Sequence, residues 1–590
     1  MTVHEPQPGK ARKAGRFLWH YAEMAIAMLL GMLLLGLVWN AVLPPGTRFD
    51  VDTLIMAADM TIGMAVWMRV RRHSRPRIAE MSLAMFLPFL ILLVPYWFGV
   101  LSDHLVMSVG HALMFIAMAA VMLWRHEEYT QHGHRFRIRP RWAWRASVVL
   151  IALLPAAAVS AVNTIGKFGA QYEARTDQVS VAAVSKVAGH DPSKPTVAFL
   201  LGGSGTNVAD LLGPYEVLAG TGRVNTYVVS AGSRLAQLTG GLDIVPDMTF
   251  DELARMLGER DDKLDGVVIP ALQVPEPAEL DSITGWLRAQ SAAGALVVSV
   301  CNGARTLAAS GLLDGRTATS HWLRLSGLAK DFDKVNWVKG QRYVDEGNVI
   351  TAAGVLSGVD GALRVLERLV DGDTARRAAE KVHWRHYSPG VSGRTAEAGL
   401  ALPDVVAVLN ASYQTGPSTI GVQLVEGTGE LELASAFVSY TEQSVVGRTV
   451  AVGDGAIRSR HGLTFVPRAT AASSDLDRLL VPGLDAARRH AVGTEASAAT
   501  GGLQPEYLHT SEEFAFDPVI RDIARTYDVQ TAKFAAKTLE YPVMDVELTG
   551  RSWPWLPTLV PLLLVALSAA VAISAAMVFR RLSGRRRVLR

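Results

Sequence analysis

The chain runs through two hydropathy regimes. Near its ends, apolar residues predominate over the roughly 20 positions that cross a bilayer as a helix. Phe17 to Val42, Val51 to Val70, Met81 to Leu101, His104 to Trp124 and Ala146 to Ile165 are five such runs, and Trp553 to Phe579 is a sixth. The first is too long for a cleaved signal peptide, and no small-residue cleavage site follows it. Pro88, Pro95 and Pro155 lie inside runs, which membrane helices tolerate, and Trp553 and Trp555 suit an interface. Between the fifth and sixth runs, from about 170 to 550, charge returns. Short apolar strands there alternate with helical patterns, the signature of a parallel α/β sheet.

The pattern predicts a five-helix membrane domain over 1–168, an α/β domain over 194–372, a second α/β lobe over 402–545 and a C-terminal transmembrane helix over 553–580. In the α/β domain, Thr196 to Leu201 reads as the first strand, Val208 to Ala219 as a helix and Val224 to Ser230 as the second strand. Gly240 to Val245 suggests a hairpin, Asp265 to Pro270 a buried strand and Glu279 to Ala293 a helix. Leu296 to Val300 and Asn348 to Gly354 are later strands, and Gly358 to Val370 is the closing helix.

Composition sharpens this division. Hydrophobic residues make up 49% of 590, mean hydropathy is +0.21 and the net charge is +3. Arg and Lys gather beside the apolar runs, so the basic balance reads as a topology signal and not as nucleic-acid binding. Arg69, Arg71, Arg72, Arg75 and Arg77 follow the second run, and Arg135 to Arg145 the fourth. Positive charge marks the cytoplasmic side. Six spans then place both termini inside the cell and the α/β region outside, with the lipid bilayer as a partner. The single cysteine allows no intramolecular disulfide and leaves the compartment open.

That cysteine carries the chemistry. Cys301 follows the β-branched run Leu296 to Val300, and Asn302-Gly303-Ala304 opens a helix behind it. A strand–nucleophile–helix turn of this kind holds its nucleophile in strained backbone above a sheet. The helix N-terminus favours thiolate. A small buried apolar cysteine is the plainer reading.

The segment from about 194 to 372 resembles the PfpI superfamily, with its class I glutamine amidotransferase-like, flavodoxin-like fold. It is most similar to the amidase-like domains of AraC-type regulators and to isonitrile hydratases. The resemblance rests on Ala209-Asp210-Leu-Leu-Gly213-Pro214-Tyr-Glu216, Val300-Cys301-Asn302-Gly303-Ala304, Ala309-Ser-Gly311 through Thr-Ser-His321-Trp322, and Thr351-Ala-Ala-Gly354 through Asp360. It implies that Cys301 is the elbow nucleophile and Asp210 the acid beside it. His321 matches a histidine that some members place near the thiol. Gly203, Asn302, Gly303 and Ala271 would line the substrate. No cofactor or metal is called for. Two departures stand out. Pro270-Ala271-Leu272 replaces the family's Pro-Gly-Gly, whose N–H groups help form an oxyanion hole. Asn302 stands where protease-like members carry His, which speaks against peptidase activity.

The second half echoes the first. Asp404 to Leu409 resembles the first strand, and Asp477 to Gly483 resembles Asp265 to Pro270 and the residue after it, both offset by roughly 210 residues. This hints at a duplication and an internal pseudo-dimer. No cysteine follows in the second copy, which makes it a degenerate lobe. Within the apolar runs, Asp59 and His111 suggest a polar helix–helix contact. Met56, Met60, Met64 and Met68 form a stripe that reads as packing, with soft copper ligation the alternative. Two main readings follow. One is a membrane-anchored enzyme in which Cys301 attacks a small carbonyl, amide or isonitrile compound. The other is a small-ligand or redox sensor that signals through the helices. A scaffolding role, in which the lobes only bind partners, is a third. No helix-turn-helix pattern supports direct transcription control.

Overall fold

In the computed structural model, the described residues include 166–175 and 189–588, with gaps at 233, 396–397, 471, 473–474, 493–501 and 543–545. Also described are 23–32, 49–71 and 78–86, with shorter stretches up to 164. The chain divides into two compact units, Met1–Leu154 with Val565–Arg590, and Pro155–Leu564.

In the first unit, Phe49–Val70 is a single helix. Its Thr53–Val70 portion is the one described helix long and apolar enough to cross a membrane; shorter apolar helices lie at Glu23–Met32 and Trp555–Val571. The sixth expected span lies almost wholly within a described helix, Trp555–Val588, and the first, third, fourth and fifth fall largely outside the described residues. His111 does not pair with Asp59 through Nδ1, which instead meets the Met107 carbonyl at 2.7 Å. The ring of His111 stands edge-on to Phe89.

The second unit begins with β1 (Thr196–Leu201), α1 (Val208–Ala219), β2 (Asn225–Ser230), β3 (Met248–Thr249), β4 (Gly266–Ile269) and β5 (Leu296–Val300). It continues with α2 (Gly303–Ala309), β6 (Tyr343–Asp345), β7 (Val349–Ala352), α3 (Ser357–Leu369) and α4 (Gly372–Lys381). The strands form one sheet in the order β6-β7-β5-β4-β1-β2-β3. All neighbours are parallel except β6 with β7. The central strands are buried along their whole length. Continuous apolar runs are what a sheet covered on both faces requires.

The second lobe contains α5 (Val405–Tyr413), β8 (Thr419–Gln423), α6 (Glu430–Val438), β9 (Arg448–Val452), β10 (Arg478–Val481), β11 (Pro505–Tyr507), α7 (Asp517–Thr526) and α8 (Val529–Thr538). Its sheet is parallel throughout, in the order β9-β8-β10-β11. That is the order of β2-β1-β4-β5. The segment expected to be its first strand, Asp404 to Leu409, is helical instead. A β-branched run also suits a half-buried helix, and Val405 and Val408 there are 46% and 58% exposed. The first strand of this lobe is β8.

The helices after the sheets match as well. Asp371 caps α4 by accepting the Thr374 N–H at 2.6 Å, and Asp528 caps α8 by accepting the Thr531 N–H at 2.7 Å. His383 and Glu540, just beyond each helix, hold left-handed backbone at φ 56° and 54°.

The two lobes share one core. Leu211, Leu212 and Tyr215 of α1 join Leu431, Leu433 and Phe437 of α6 in a continuous apolar cluster. A hairpin from each lobe pairs edge to edge, with Thr464, Phe465 and Val466 antiparallel to Val245, Ile244 and Asp243. The opposite face of the first sheet carries a separate core around Leu200, Val267 and Leu287.

Candidate functional site

β5 ends against β7, where the Cys301 N–H donates to the Ala352 carbonyl at 3.0 Å. The chain then turns at once into α2. The turn forces Cys301 to φ +56°, a conformation that a side-chain-bearing residue adopts at a cost of about 1–3 kcal/mol. The Ser320 hydroxyl holds the Cys301 carbonyl at 2.7 Å. Gly303 lets α2 pass the end of β4, since a Cβ there would collide with the Ile269 and Pro270 carbonyls. At this position the absence of a side chain is what the close packing requires.

Asp210 lies in the first turn of α1. Asn207 caps that helix, its Oδ1 accepting the N–H groups of Ala209 and Asp210 at 3.0 Å each. The fully buried carboxyl of Asp210 takes the Ala271 N–H on Oδ2 at 3.1 Å. Ala271 therefore spends its N–H on the acid and not on an oxyanion. Oδ1 of Asp210, Oδ1 of Asn302 and Nε1 of Trp322 are buried without a partner among the described residues. Gly203 is exposed, and its N–H donates to Glu279 at 2.6 Å.

Two further carboxyls come from the second half. Glu442 follows α6 in a π-helical turn (Ser439–Gln443) and accepts the Asn207 amide at 2.7 Å. Glu540 accepts the Ser357 hydroxyl at 3.1 Å. Burial pushes Glu442 and Glu540 each up to about 7. Burial, with Glu442 and Glu540 nearby, pushes Asp210 well above the usual carboxylate range, against the pull of the Ala271 N–H and the Cys301 thiol. The thiol is raised too, first by burial and then by Asp210 and Glu442, while the Asn302 N–H works the other way. This corrects the expected thiolate. The N–H donors of a short helix are outweighed by a dry site lined with acids.

His321 is buried, and its Nε2 meets the Thr538 carbonyl at 2.8 Å. Burial lowers it to about 4, so at neutral pH the ring is uncharged and Nε2–H donates. The charges that bear on the thiol are carboxylates, not this imidazole.

One more wall comes from outside both lobes. Tyr172 lies against Gly205, where a Cβ would sit 2.5 Å from its ring. The Tyr172 hydroxyl accepts from Thr239 at 3.0 Å. Burial, then Glu442, raises this phenol well above its ordinary value, and Asp210 and Cys301 add to the effect. The strap around Tyr172 is pinned. Gly240 N–H donates to the Gln171 carbonyl at 2.9 Å, and Arg175 donates to Asp243 and to the Pro467 carbonyl. The helical residues before it are tied to the second lobe through Asn163 to the Ser412 carbonyl and Lys167 to the Asn410 carbonyl. Glu442, Glu540 and Tyr172 were not readable from the motifs around Cys301. The signal available was the match of Leu539-Glu540-Tyr541 to Val382-His383-Trp384 after equivalent helices.

The second lobe has its own version of the elbow. Val267 pairs with Val297 in the first sheet, and Leu479 pairs with Pro505 in the second. Four residues beyond each partner stand Cys301 and His509. His509 is buried, with Nδ1 accepting the Gly483 N–H at 3.1 Å and Nε2 donating to the Ala515 carbonyl at 3.0 Å. Burial lowers its pKa.

A cysteine at positive φ on a strand–helix turn, with a buried carboxyl beside it, defines a class of α/β domains built around a single thiol. Residues 195–368 match the DJ-1/PfpI family. An isonitrile hydratase of Pseudomonas putida is 32% identical over 196 residues, 33% of this chain and 81% of that protein. The chain belongs to the DJ-1/PfpI family through this domain. It is also 30% identical to protein DJ-1alpha of Drosophila melanogaster over 148 residues, 25% of this chain and 64% of that one. The HTH-type transcriptional regulator GlxA of Rhizobium meliloti (strain 1021) is 31% identical over 127 residues, 21% of this chain and 39% of that protein. Among solved structures, a THiJ/PfpI family protein from Pseudomonas syringae is 27% identical, covering 37% of this chain and 84% of that one at a TM-score of 0.28.

Proposed function

We propose that this is a membrane-anchored DJ-1/PfpI protein whose Cys301 site hydrates a small compound with a reactive carbon, an isonitrile before an amide or carbonyl. The observation that carries this reading is the placement of Cys301, at φ +56°, beside the fully buried Asp210, whose carboxyl burial pushes toward its protonated form. An isonitrile carbon needs a proton before a nucleophile. Asp210 protonates that carbon, giving a nitrilium ion. The Cys301 sulfur then adds to the carbon, and its proton returns to the Asp210 carboxylate. Water attacks the resulting thioimidate, nitrogen takes up a proton and the thiol leaves with its own. The sum is R–NC plus water giving R–NH–CHO. A protonated carboxyl and a neutral thiol are the forms this sequence starts from, and no imidazole is required.

The test is incubation of the full chain with cyclohexyl isocyanide and quantification of the formamide. Cys301→Ser and Asp210→Asn should each lower turnover by about 100-fold or more, the scale of a lost nucleophile or general acid. No formamide from natively folded protein at millimolar isocyanide refutes the hydratase reading.

Small-ligand sensing is the second reading. It is favoured by Tyr172, which joins the site to helical residues leading back toward the fifth apolar run. Membrane anchoring, with both termini cytoplasmic, is supported by the arginine pattern and by the apolar helix Thr53–Val70. A reporter fused after residue 170 should be active as alkaline phosphatase and dark as a cytoplasmic fluorescent protein. The reverse pair refutes that orientation. The second lobe, by its strand order and its helix α6 against α1, takes the place of a partner subunit.

A further inference from the structure

The N-terminal helices sort their apolar residues by chemistry. Outward they show branched aliphatics: Ile26, Leu29, Leu30, Val66 and Leu83 are each more than half exposed. Inward they turn methionine. Among the described residues, ten of the twelve in the buried cluster of this unit are methionines, drawn from four segments of the chain. They recur every four residues, as in Met24 and Met28, Met60 and Met64, Met81 and Met85, Met114 and Met118. In the first three segments an acid stands directly before the run, at Glu23, Asp59 and Glu80; in the fourth, His111 precedes Met114 by three.

Apolarity does not explain the sorting. Leucine and methionine are close in volume and helix propensity, and exchanging them costs little. Leucine even packs with better-defined rotamers. The thioether differs in one respect, a polarisable sulfur lone pair that ligates soft metal ions. A single methionine in a core is a gap filler; a methionine interior with an aliphatic exterior is a selection for sulfur. The backbones support a shared interior. Gly31 and Gly63 meet so closely that a Cβ on one would lie 2.8 Å from the Cα of the other. This brings the helix carrying Met28 against the helix carrying Met64.

We propose that this interior is a binding site for a soft monovalent cation, Cu⁺ or its analogue Ag⁺, held by thioethers and separate from the Cys301 site. Neutral thioethers leave the charge of such an ion uncompensated. Asp59, buried at 2% exposure, provides a carboxyl in the same segment as Met60 and Met64. Hard divalent ions, which need an oxygen cage, are not matched by this donor set.

The experiment uses the full chain in detergent, with Cys301→Ser to remove its only thiol. Silver is added in chloride-free buffer, excess is removed by gel filtration, and bound silver is counted by plasma mass spectrometry. At least one Ag⁺ per chain is expected. Met28→Leu, Met64→Leu and Met118→Leu combined should weaken binding tenfold or more. Each alone should weaken it about threefold, and these conservative changes keep volume and apolarity if the triple variant misfolds. On the parent protein loaded with Cu⁺ under ascorbate, X-ray absorption should show sulfur neighbours. Less than 0.1 Ag⁺ per chain, a nitrogen-only copper shell, or binding unchanged in the leucine variants overturns the proposal.

Discussion

The two lobes share a strand order and differ at one residue that matters. The first keeps Cys301 in left-handed backbone; the second has His509 at the matching point, and His509 is not among the described residues with positive φ. The strained turn at Cys301 costs stability, about 1–3 kcal/mol for such backbone, and His509 at the matching point does without it. His509 is enclosed by its own lobe, through Gly483 and Ala515. At the two matching elbow positions, the left-handed backbone belongs to the lobe that carries the cysteine.

The largest expected effect tests whether the lobes are one cooperative body. Phe437→Ala, in the helix between them, should cost about 3–5 kcal/mol. It should lower a single thermal transition reported by both lobes. Two separate transitions in the parent protein would break the comparison, because each lobe would then stand alone.

The next contrast concerns the two elbow positions. In a Cys301→Ser background, His509→Cys should resist iodoacetamide in the native protein and label only on unfolding. Cys301 itself should label natively, slowly at pH 7 and faster as pH rises, because its thiol is raised. A native rate for the new cysteine within about tenfold of Cys301, an energy difference of about 1.4 kcal/mol or less, would erase the distinction.

How much of this is legible in the sequence follows from how local each feature is. The elbow is legible because β5, Cys301 and α2 are contiguous and buried strands read as apolar runs. The first strand of the second lobe is not, since Val405-Val406-Ala407-Val408-Leu409 fits helix and strand alike. Asp210 is reached only through a resemblance. Glu442 and Tyr172 lie more than 100 residues from Cys301, and only the packing of α6 on α1 and the strap on Gly205 brings them in. The raised thiol could not be read from the turn, because it comes first from burial, then from Asp210 on α1 and from Glu442, which arrives from the other lobe.

Those carboxyls give a pH test of smaller size. Glu442 titrates near 4.5 when unfolded and at about 7 when folded. Between these values the folded chain holds a proton that the unfolded chain has released. Its contribution is therefore most favourable below about 4.5 and declines as pH rises through about 7. Glu442→Gln should narrow the gap between denaturation midpoints measured at pH 5 and pH 7.5. A gap left unchanged would mean that Glu442 is not buried against the thiol.

The smallest effect compares matching helix starts. Asp528→Ala should cost about 1 kcal/mol, the scale of a lost N-cap. Asp371→Ala, the equivalent change at an exposed position, should cost less. Chemical denaturation of both variants measures the ratio, and equal losses would contradict the deeper placement of the second-lobe cap.

The position of Tyr172 has a practical consequence for anyone cutting this gene. A fragment trimmed to the family boundary at residue 195 would fold a complete sheet and present Cys301, yet it would lack one side of its own pocket. A fragment ending near 370 would also lose Glu442 and Glu540. Assays on such pieces would describe a thiol freer, wetter and more acidic than the native one, and a promiscuous reactivity seen there would belong to the cut and not to the protein.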